Sequence, residues 1–278
     1  MKITVRPLAE LTTLGVGGPA EVWEVETPAD LLEATSAPYR ILGNGSNLLV
    51  ADTGVPERVI KLSGVFGRAE LGEPREGDVH LTPWLGAGAL LPALVQQARQ
   101  KGLSGLEPLA GIPASLGGAV RMNAGTRFGE MADVLEAVEV FHDGAFHVYH
   151  PSELGFGYRR SNLPAGGIVT RLRLRLYKRD PAEIEELLRQ VEAARQGQPK
   201  RKSAGCAFKN PPDDSAGRLI DQAGFKGLQR GGAMISLEHG NFVINTGGAR
   251  AADVWELVKT VRQTLPLELE LEIWGELP

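Results

Sequence analysis

Hydrophobic and polar positions alternate strictly from Ile168 to Tyr177, with Leu172, Leu174 and Leu176 on one side and Arg171, Arg173 and Arg175 on the other. A period of two predicts a half-buried strand with a solvated arginine face. The period changes directly afterwards. Asp180 is placed to cap a helix, Pro181 fits its first position, and Glu183 stands where a capping-box partner belongs. Ile184, Leu187, Leu188 and Val191 then form the apolar stripe, and Gly197 ends it. Helical spacing returns from about Ala251 to Thr264, with Val254, Leu257, Val258 and Val261 inward. Leu267 to Trp274 alternates again and reads as a strand with Glu268, Glu270 and Glu272 on its polar face. Earlier in the chain, Glu21–Glu26 and Leu48–Ile60 read as short strands, separated by a helix that Thr27 caps and Pro28 opens. Two strand-like runs between Val138 and Tyr149 flank Asp143-Gly144, a pair that favours a type I′ hairpin turn. A short helix at Leu219–Ala223 stopped by Gly224 and a strand at Asn241–Asn245 complete a mixed α and β pattern without internal repeats.

A chain of 278 residues with this pattern is expected to form two or three compact units, with Gln198-Pro199-Lys200-Arg201-Lys202 as a connection between them. The formal net charge of -4 argues against a general affinity for nucleic acid, which requires a dominant basic surface. An anionic ligand must therefore be caught locally. The start of the chain lacks the apolar stretch of a signal peptide and no later run is long enough to cross a bilayer, so a cytoplasmic protein without a membrane partner is expected. One cysteine, Cys206, allows no internal disulfide. His142, His147, His150 and His239 lack metal-ligand spacing and His80 stands alone, so no metal site is expected.

Glycine is enriched, at 35 residues, and it clusters in Gly15-Val16-Gly17-Gly18, in Gly43-Asn44-Gly45-Ser46-Asn47 and in Gly111 to Gly118. None of these matches a dinucleotide-binding G-x-G-x-x-G or a P-loop, which argues against a Rossmann fold or a kinase. Each is compatible with a tight turn, yet glycine also lets successive N–H groups approach a pyrophosphate. Two further segments bear chemistry. Ser203 to Pro211 holds the one thiol beside Lys209 and Asn210, and a thiol with a reference pKa of about 8.5 is a usable proton donor. Phe156-Gly157-Tyr158-Arg159-Arg160-Ser161 offers guanidinium forks suited to a carboxylate or phosphate.

Taken in order, these segments resemble the UDP-N-acetylenolpyruvoylglucosamine reductase (MurB) family. The resemblance runs through Thr13–Gly18, Ile41–Val50, Leu109–Gly125, Tyr158–Ser161, Ser203–Pro211, Leu219–Gly224 with Lys226-Gly227, and Leu267–Gly275. It implies an α+β chain: an FAD-binding fold of the vanillyl-alcohol-oxidase type with a separate α+β substrate-binding domain. The expected divisions are residues 1–62, rejoined by a final strand in 267–278, then 63–197 and 198–266. No long insertion follows Arg159, as in the shorter subtype of the family.

The resemblance further implies that FAD and NADPH serve the reduction of an enolpyruvyl group on a UDP-linked amino sugar, in peptidoglycan precursor synthesis. Arg159, Cys206 and Glu270 are then the catalytic candidates. Alternation alone leaves Glu268, Glu270 and Glu272 equivalent; the family pattern selects Glu270. Cys206 stands where the family usually has serine, and Leu269 and Glu272 replace a usual proline and arginine. For FAD the resemblance points to Gly43, Asn44, Gly45, Ser46 and Asn47, with Gly117, Gly118, Ala119, Asn123 and Gly125. For the sugar nucleotide it points to Tyr158, Lys209, Asn210, Lys226 and His239. A flavin oxidase of the same superfamily, or a nucleotide-binding module without turnover, are the competing readings.

Overall fold

A computed structural model describes residues 1–73 and 77–278. In chain order the first elements are β1 (Lys2–Pro7), β2 (Pro19–Val25), α1 (Pro28–Ala34), β3 (Tyr39–Ile41), β4 (Leu48–Val50) and β5 (Arg58–Leu62). Next come β6 (Val79–Leu81), β7 (Leu85–Gly86), α2 (Leu91–Gln100), β8 (Leu103–Ser104), α3 (Leu116–Arg121), β9 (Gly125–Thr126) and β10 (Gly129–Glu130). The middle holds β11 (Leu135–His142), β12 (Ala145–Tyr149), β13 (Ile168–Lys178) and α4 (Pro181–Ala194). The last part holds β14 (Ser203–Cys206), α5 (Ala216–Gln222), β15 (Gln229–Arg230), β16 (Ala233–Ile235), β17 (Phe242–Asn245), α6 (Ala251–Thr264) and β18 (Glu272–Trp274). Among the described residues no helix is long and apolar enough to cross a membrane.

The chain divides into two compact units, one of residues 1–2, 23–43 and 60–196, the other of residues 3–22, 44–59 and 197–278. In the first, β13 is the spine of a sheet of order β12-β11-β13-β6, and it also pairs with β7 and β8. Its apolar face, Leu172, Leu174 and Leu176, is fully buried in a core with Leu91, Leu94, Leu116 and Val120 from α2 and α3. The β11–β12 hairpin turns at Asp143 and Gly144, whose φ values of 49° and 75° are those of the turn expected there. Thr27 caps α1 in a full capping box with Asp30, and Pro28 opens it.

The arginine face of β13 is paired rather than merely solvated. Arg175 bonds Glu136, Arg173 lies over the Trp84 ring, and Arg171 forms a two-pronged bond with Glu139, which is buried. Burial pushes the Glu139 carboxyl up, but the Arg171 hydrogen bonds, the Thr170 hydroxyl and the Arg171 charge outweigh it and hold the carboxyl below its usual range. Arg171→Ala should destabilise the protein by about 2 kcal/mol, less than the 3–5 kcal/mol typical of a fully buried pair because Arg171 faces solvent. A lowered folded-state pKa means that this stability is present above the ordinary carboxylate range and lost as pH falls through it. Thermal melts at pH 7 and pH 4 check both points: the gap between wild type and variant should narrow at the lower pH.

In the second unit β14, β17, β16 and β15 form an antiparallel sheet covered by α6, whose Val254, Leu257, Val258 and Val261 are buried against Ile235, Val243 and Phe208. The N-terminus of α6 is capped from far away, by Asp52 accepting from the N–H groups of Ala251 and Ala252. The terminal stretch differs from the single strand expected over Leu267–Trp274. Only β18 is a strand, pairing parallel with β4, while Leu269 makes an isolated bridge to Phe208. The segment changes partner midway, so its alternation serves two neighbours in turn.

Candidate active site

Two assemblies carry the residues singled out from the sequence, one in each unit. In the second unit, loop 44–47 runs into β4; it is bonded directly to the terminal stretch and reaches β14 through Thr13. Gly45 has a φ of 60°, and a side chain there would meet the Leu11 carbonyl at 2.5 Å, so the position demands glycine. The Thr13 N–H donates to the Gly45 carbonyl (3.1 Å) while the Thr13 hydroxyl donates to the Ser203 carbonyl (2.6 Å), anchoring the loop beside β14. Gly205, also at positive φ, is separated from the Ser46 carbonyl by little more than the space of a methyl group. The Asn47 carboxamide donates to the Glu270 carbonyl at 2.8 Å, and the Glu272 N–H returns to the Asn47 carbonyl at 3.1 Å. Cys206, half-buried, ends β14, and the carbonyl of the next residue, Ala207, accepts from the Glu270 N–H at 3.0 Å. Asn44, Gly45, Ser46, Asn47, Cys206 and Glu270 are therefore brought together.

Of the four remaining candidates of this unit, Asn210, Lys226 and His239 gather around α5, while Lys209 meets the terminal stretch. Lys209 pairs with Glu268 at 2.5 Å. The Asn210 side-chain oxygen accepts from the Ala216 N–H at the start of α5, and Lys226 pairs with Asp221 near its end. The His239 ring lies against Gly217, where a side chain would come within 2.8 Å of it. Its Nδ1 accepts from the Asn241 N–H, leaving Nε2 as the protonated, donating nitrogen of the neutral ring.

Burial, reinforced by the Lys226 charge, pushes the His239 pKa below its free value of 6.5. The linkage sign follows: the folded state resists protonation, so the stability tied to a neutral His239 is present above about pH 6.5 and is lost as pH falls below it. Nuclear magnetic resonance of the imidazole should show titration below pH 6.5. His239→Gln should flatten the loss of thermal stability between pH 7 and pH 5; an unchanged acid limb would contradict this.

In the first unit, Gly43 lies against Ser115, the N-cap of α3, where a side chain would come within 2.5 Å of the Ser115 Oγ. That hydroxyl accepts from the Gly118 N–H, and Gly117 packs on Ala87. Ala119 is fully buried in α3, while Gly117 and Gly118 are half-buried. Asn123 is buried at a φ of 43°, its side chain accepting from the Ala132 N–H and donating to the Gly157 carbonyl. Gly157 and Arg160 exchange backbone bonds across a tight turn that places Tyr158 and Arg159 at its tip. Arg159 adopts a φ of 55°, donates to the Gly125 carbonyl at 3.1 Å, and lies over the Tyr158 ring. Non-glycine residues rarely hold such a φ; here Asn123 ties the turn at Gly157 and the Gly125 carbonyl ties the Arg159 side chain.

The sequence reading missed Thr13, Ser115 and Asn241, each a small polar residue whose partner is distant in the chain or set by a turn. An Asn at the start of the strand expected over Asn241–Asn245 was the local signal for Asn241. Gly15-Val16-Gly17-Gly18, the first glycine-rich segment, packs against its own chain: a side chain at Gly18 would come within 2.1 Å of the Asp52 carbonyl.

Comparison with known proteins covers both ends of the chain. Residues 14–145 match the model of an FAD binding domain, and residues 198–276 match the C-terminal domain of UDP-N-acetylenolpyruvoylglucosamine reductase. The UDP-N-acetylenolpyruvoylglucosamine reductase of one Thermus thermophilus strain is 66% identical over 274 residues, 99% of this chain and 100% of the relative. That of Deinococcus radiodurans is 51% identical, covering 97% of this chain and 95% of the relative. The crystal structure of UDP-N-acetylenolpyruvylglucosamine reductase (MurB) from Thermus caldophilus superposes with a TM-score of 0.94 at 65% identity, over 99% of this chain and all of that one. An α+β chain with an FAD-binding domain and a reductase C-terminal domain is a flavoprotein oxidoreductase. Within that class, the chain belongs to the UDP-N-acetylenolpyruvoylglucosamine reductase family.

Proposed function

We propose that the protein uses NADPH and bound FAD to reduce the enolpyruvyl group of UDP-N-acetylglucosamine enolpyruvate, giving UDP-N-acetylmuramate for peptidoglycan. The observation that carries this reading is the family relationship over 99% of the chain, joined to the clustering of Cys206, Glu270 and loop 44–47 in one assembly. Work on a sugar nucleotide with a soluble reductant is suited to the cytoplasm.

The residues present fit FAD by their donor set. Gly43 to Asn47 contain two carboxamides, one of them also bonded to the Glu270 carbonyl, with a hydroxyl and main-chain N–H groups and no competing carboxylate, and Gly118 carries no side chain at the start of α3. Bound FAD supplies hydride transfer between the nicotinamide and the enolpyruvyl methylene carbon. Arg159 offsets the negative charge that then develops toward the substrate carboxylate. Glu270 assists there in its protonated form or by orienting a donor. The Cys206 thiol gives its proton to the neighbouring carbon and regains one from solvent. Lys209, Asn210, Lys226 and neutral His239 hold the nucleotide portion, with Tyr158 beside the sugar.

An absorbance spectrum of the purified protein tests the reading directly. Flavin bands should bleach with NADPH and return on adding the enolpyruvyl sugar nucleotide without oxygen. A yellow protein whose bands bleach but return only with oxygen would favour a flavin oxidase or a binding module.

A further inference from the structure

Cys206 and Glu270 stand on neighbouring stretches of backbone whose register is set by the three residues after the thiol. The Ala207 carbonyl accepts from Glu270 and Leu271, Phe208 bridges Leu269, and the Lys209 N–H donates to the Glu268 carbonyl at 2.8 Å. That register needs support from the other side. The β14–β17 ladder is irregular between Ser203 and Cys206, and its last pair is Cys206 with Phe242. Beyond that pair, among the described residues, the support comes from Asn241, which is 1% exposed.

Asn241 holds Ala207 and Phe208 with three bonds. Its carbonyl accepts from the Ala207 N–H (2.8 Å), its side-chain oxygen from the Phe208 N–H (2.9 Å), and its side-chain NH2 donates to the Phe208 carbonyl (2.7 Å). The carboxamide thus supplies the donor and acceptor that a strand neighbour would supply, where no strand continues. Its own N–H is committed to His239 Nδ1. Asn47 holds the Glu270 carbonyl, so two carboxamides fix the backbone stretches that carry the thiol and the carboxyl.

We infer that Asn241 is a positioning residue for the reduction: its buried carboxamide clamps Ala207–Phe208 and thereby keeps the Cys206 thiol and the Glu270 carboxyl in a single register. The inference rests on the reaction proposed above. Asn241 acts through these two groups and has no part in reduction of the flavin. Asn241→Ala leaves the Phe208 N–H and carbonyl buried without a partner. Asn241→Asp keeps the shape and the acceptor but sets an oxygen against the Phe208 carbonyl.

The test is anaerobic stopped-flow on the flavin-loaded protein, each half-reaction expressed per bound flavin. In both variants reoxidation by the enolpyruvyl sugar nucleotide should slow about 10- to 100-fold, the cost of a small misplacement of reacting groups. Reduction by NADPH should stay within about threefold of wild type, and adding Asn241→Asp to Cys206→Ala should slow reoxidation by no more than about threefold again, because both changes remove one unit of function. Equal losses in the two half-reactions, unchanged reoxidation, or losses that multiply in the double variant would each overturn the inference. If the alanine protein fails to fold, the isosteric aspartate variant carries the test; failure to recover flavin-loaded protein from either would assign Asn241 to the scaffold alone and equally overturn it. A wild-type protein not reoxidised by the sugar nucleotide would instead remove the proposed reaction.

Discussion

Cys206→Ala is expected to leave reduction of the bound flavin by NADPH intact and to slow reoxidation by the enolpyruvyl sugar nucleotide by about 10²- to 10⁴-fold, the usual worth of a positioned general acid. The split follows from the chemistry: hydride leaves the nicotinamide without needing a proton from the protein, whereas the substrate carbon must gain one. Cys206→Ser should restore much of the rate, since an alcohol at the same place can still deliver a proton. The thiol sits at the end of β14, and its neighbour Ala207 bonds Glu270, so the hydroxyl would inherit the same position. Stopped-flow flavin absorbance separates the half-reactions. Equal loss in both would refute the role of an acid, and a folded but inactive serine variant would show that the sulfur does something an oxygen cannot.

Gly54→Ala is expected to destabilise the protein by more than about 4 kcal/mol, a size reached only by a few mechanisms. Gly54 has a φ of 79°, and its missing side chain would stand 1.8 Å from the Pro19 carbonyl oxygen. Backbone lies against backbone here, and no rotamer change can relieve the overlap. Gly18 and Gly275 crowd the same place: a side chain at Gly18 would come within 2.4 Å of the Gly54 nitrogen, and one at Gly275 within 2.7 Å of its carbonyl oxygen. Gly224 supplies the control, because its φ of 78° is nearly identical while nothing lies within 4 Å of its added methyl group. Gly224→Ala should therefore cost only the roughly 1–2 kcal/mol of a left-handed residue. Thermal unfolding of the two variants checks the difference; similar melting temperatures would mean that the crowding around Gly54 is easily relaxed.

Elements specified by neighbours in the chain were legible from sequence. The capped start of α1, the Asp143-Gly144 hairpin, the alternation of β13 and the apolar stripe of α6 all came through with their expected limits nearly intact. Expectations that depended on a distant partner fared differently. The arginines of β13 met Glu136, Glu139 and Trp84, and the terminal alternating stretch divided between Phe208 and β4. The choice among Glu268, Glu270 and Glu272 could not be made from period alone; in the structure Lys209 engages Glu268, while Asn47 and Ala207 hold the backbone of Glu270.

By itself the sequence determined the periods, caps and turns, the family, and the chemical kinds of group available: one thiol, a pair of arginines, and glycine-rich loops. Tertiary structure alone decided that residues 3–22 and 44–59 join residues 197–278 in one unit, that Asp52 caps a helix 199 residues away, and that a carboxamide at 241 stands in for a missing strand beside Cys206. The reason is physical. Helical and strand periods arise from the geometry of consecutive residues, whereas the pairing of one N–H with one distant carbonyl depends on where the whole backbone has folded.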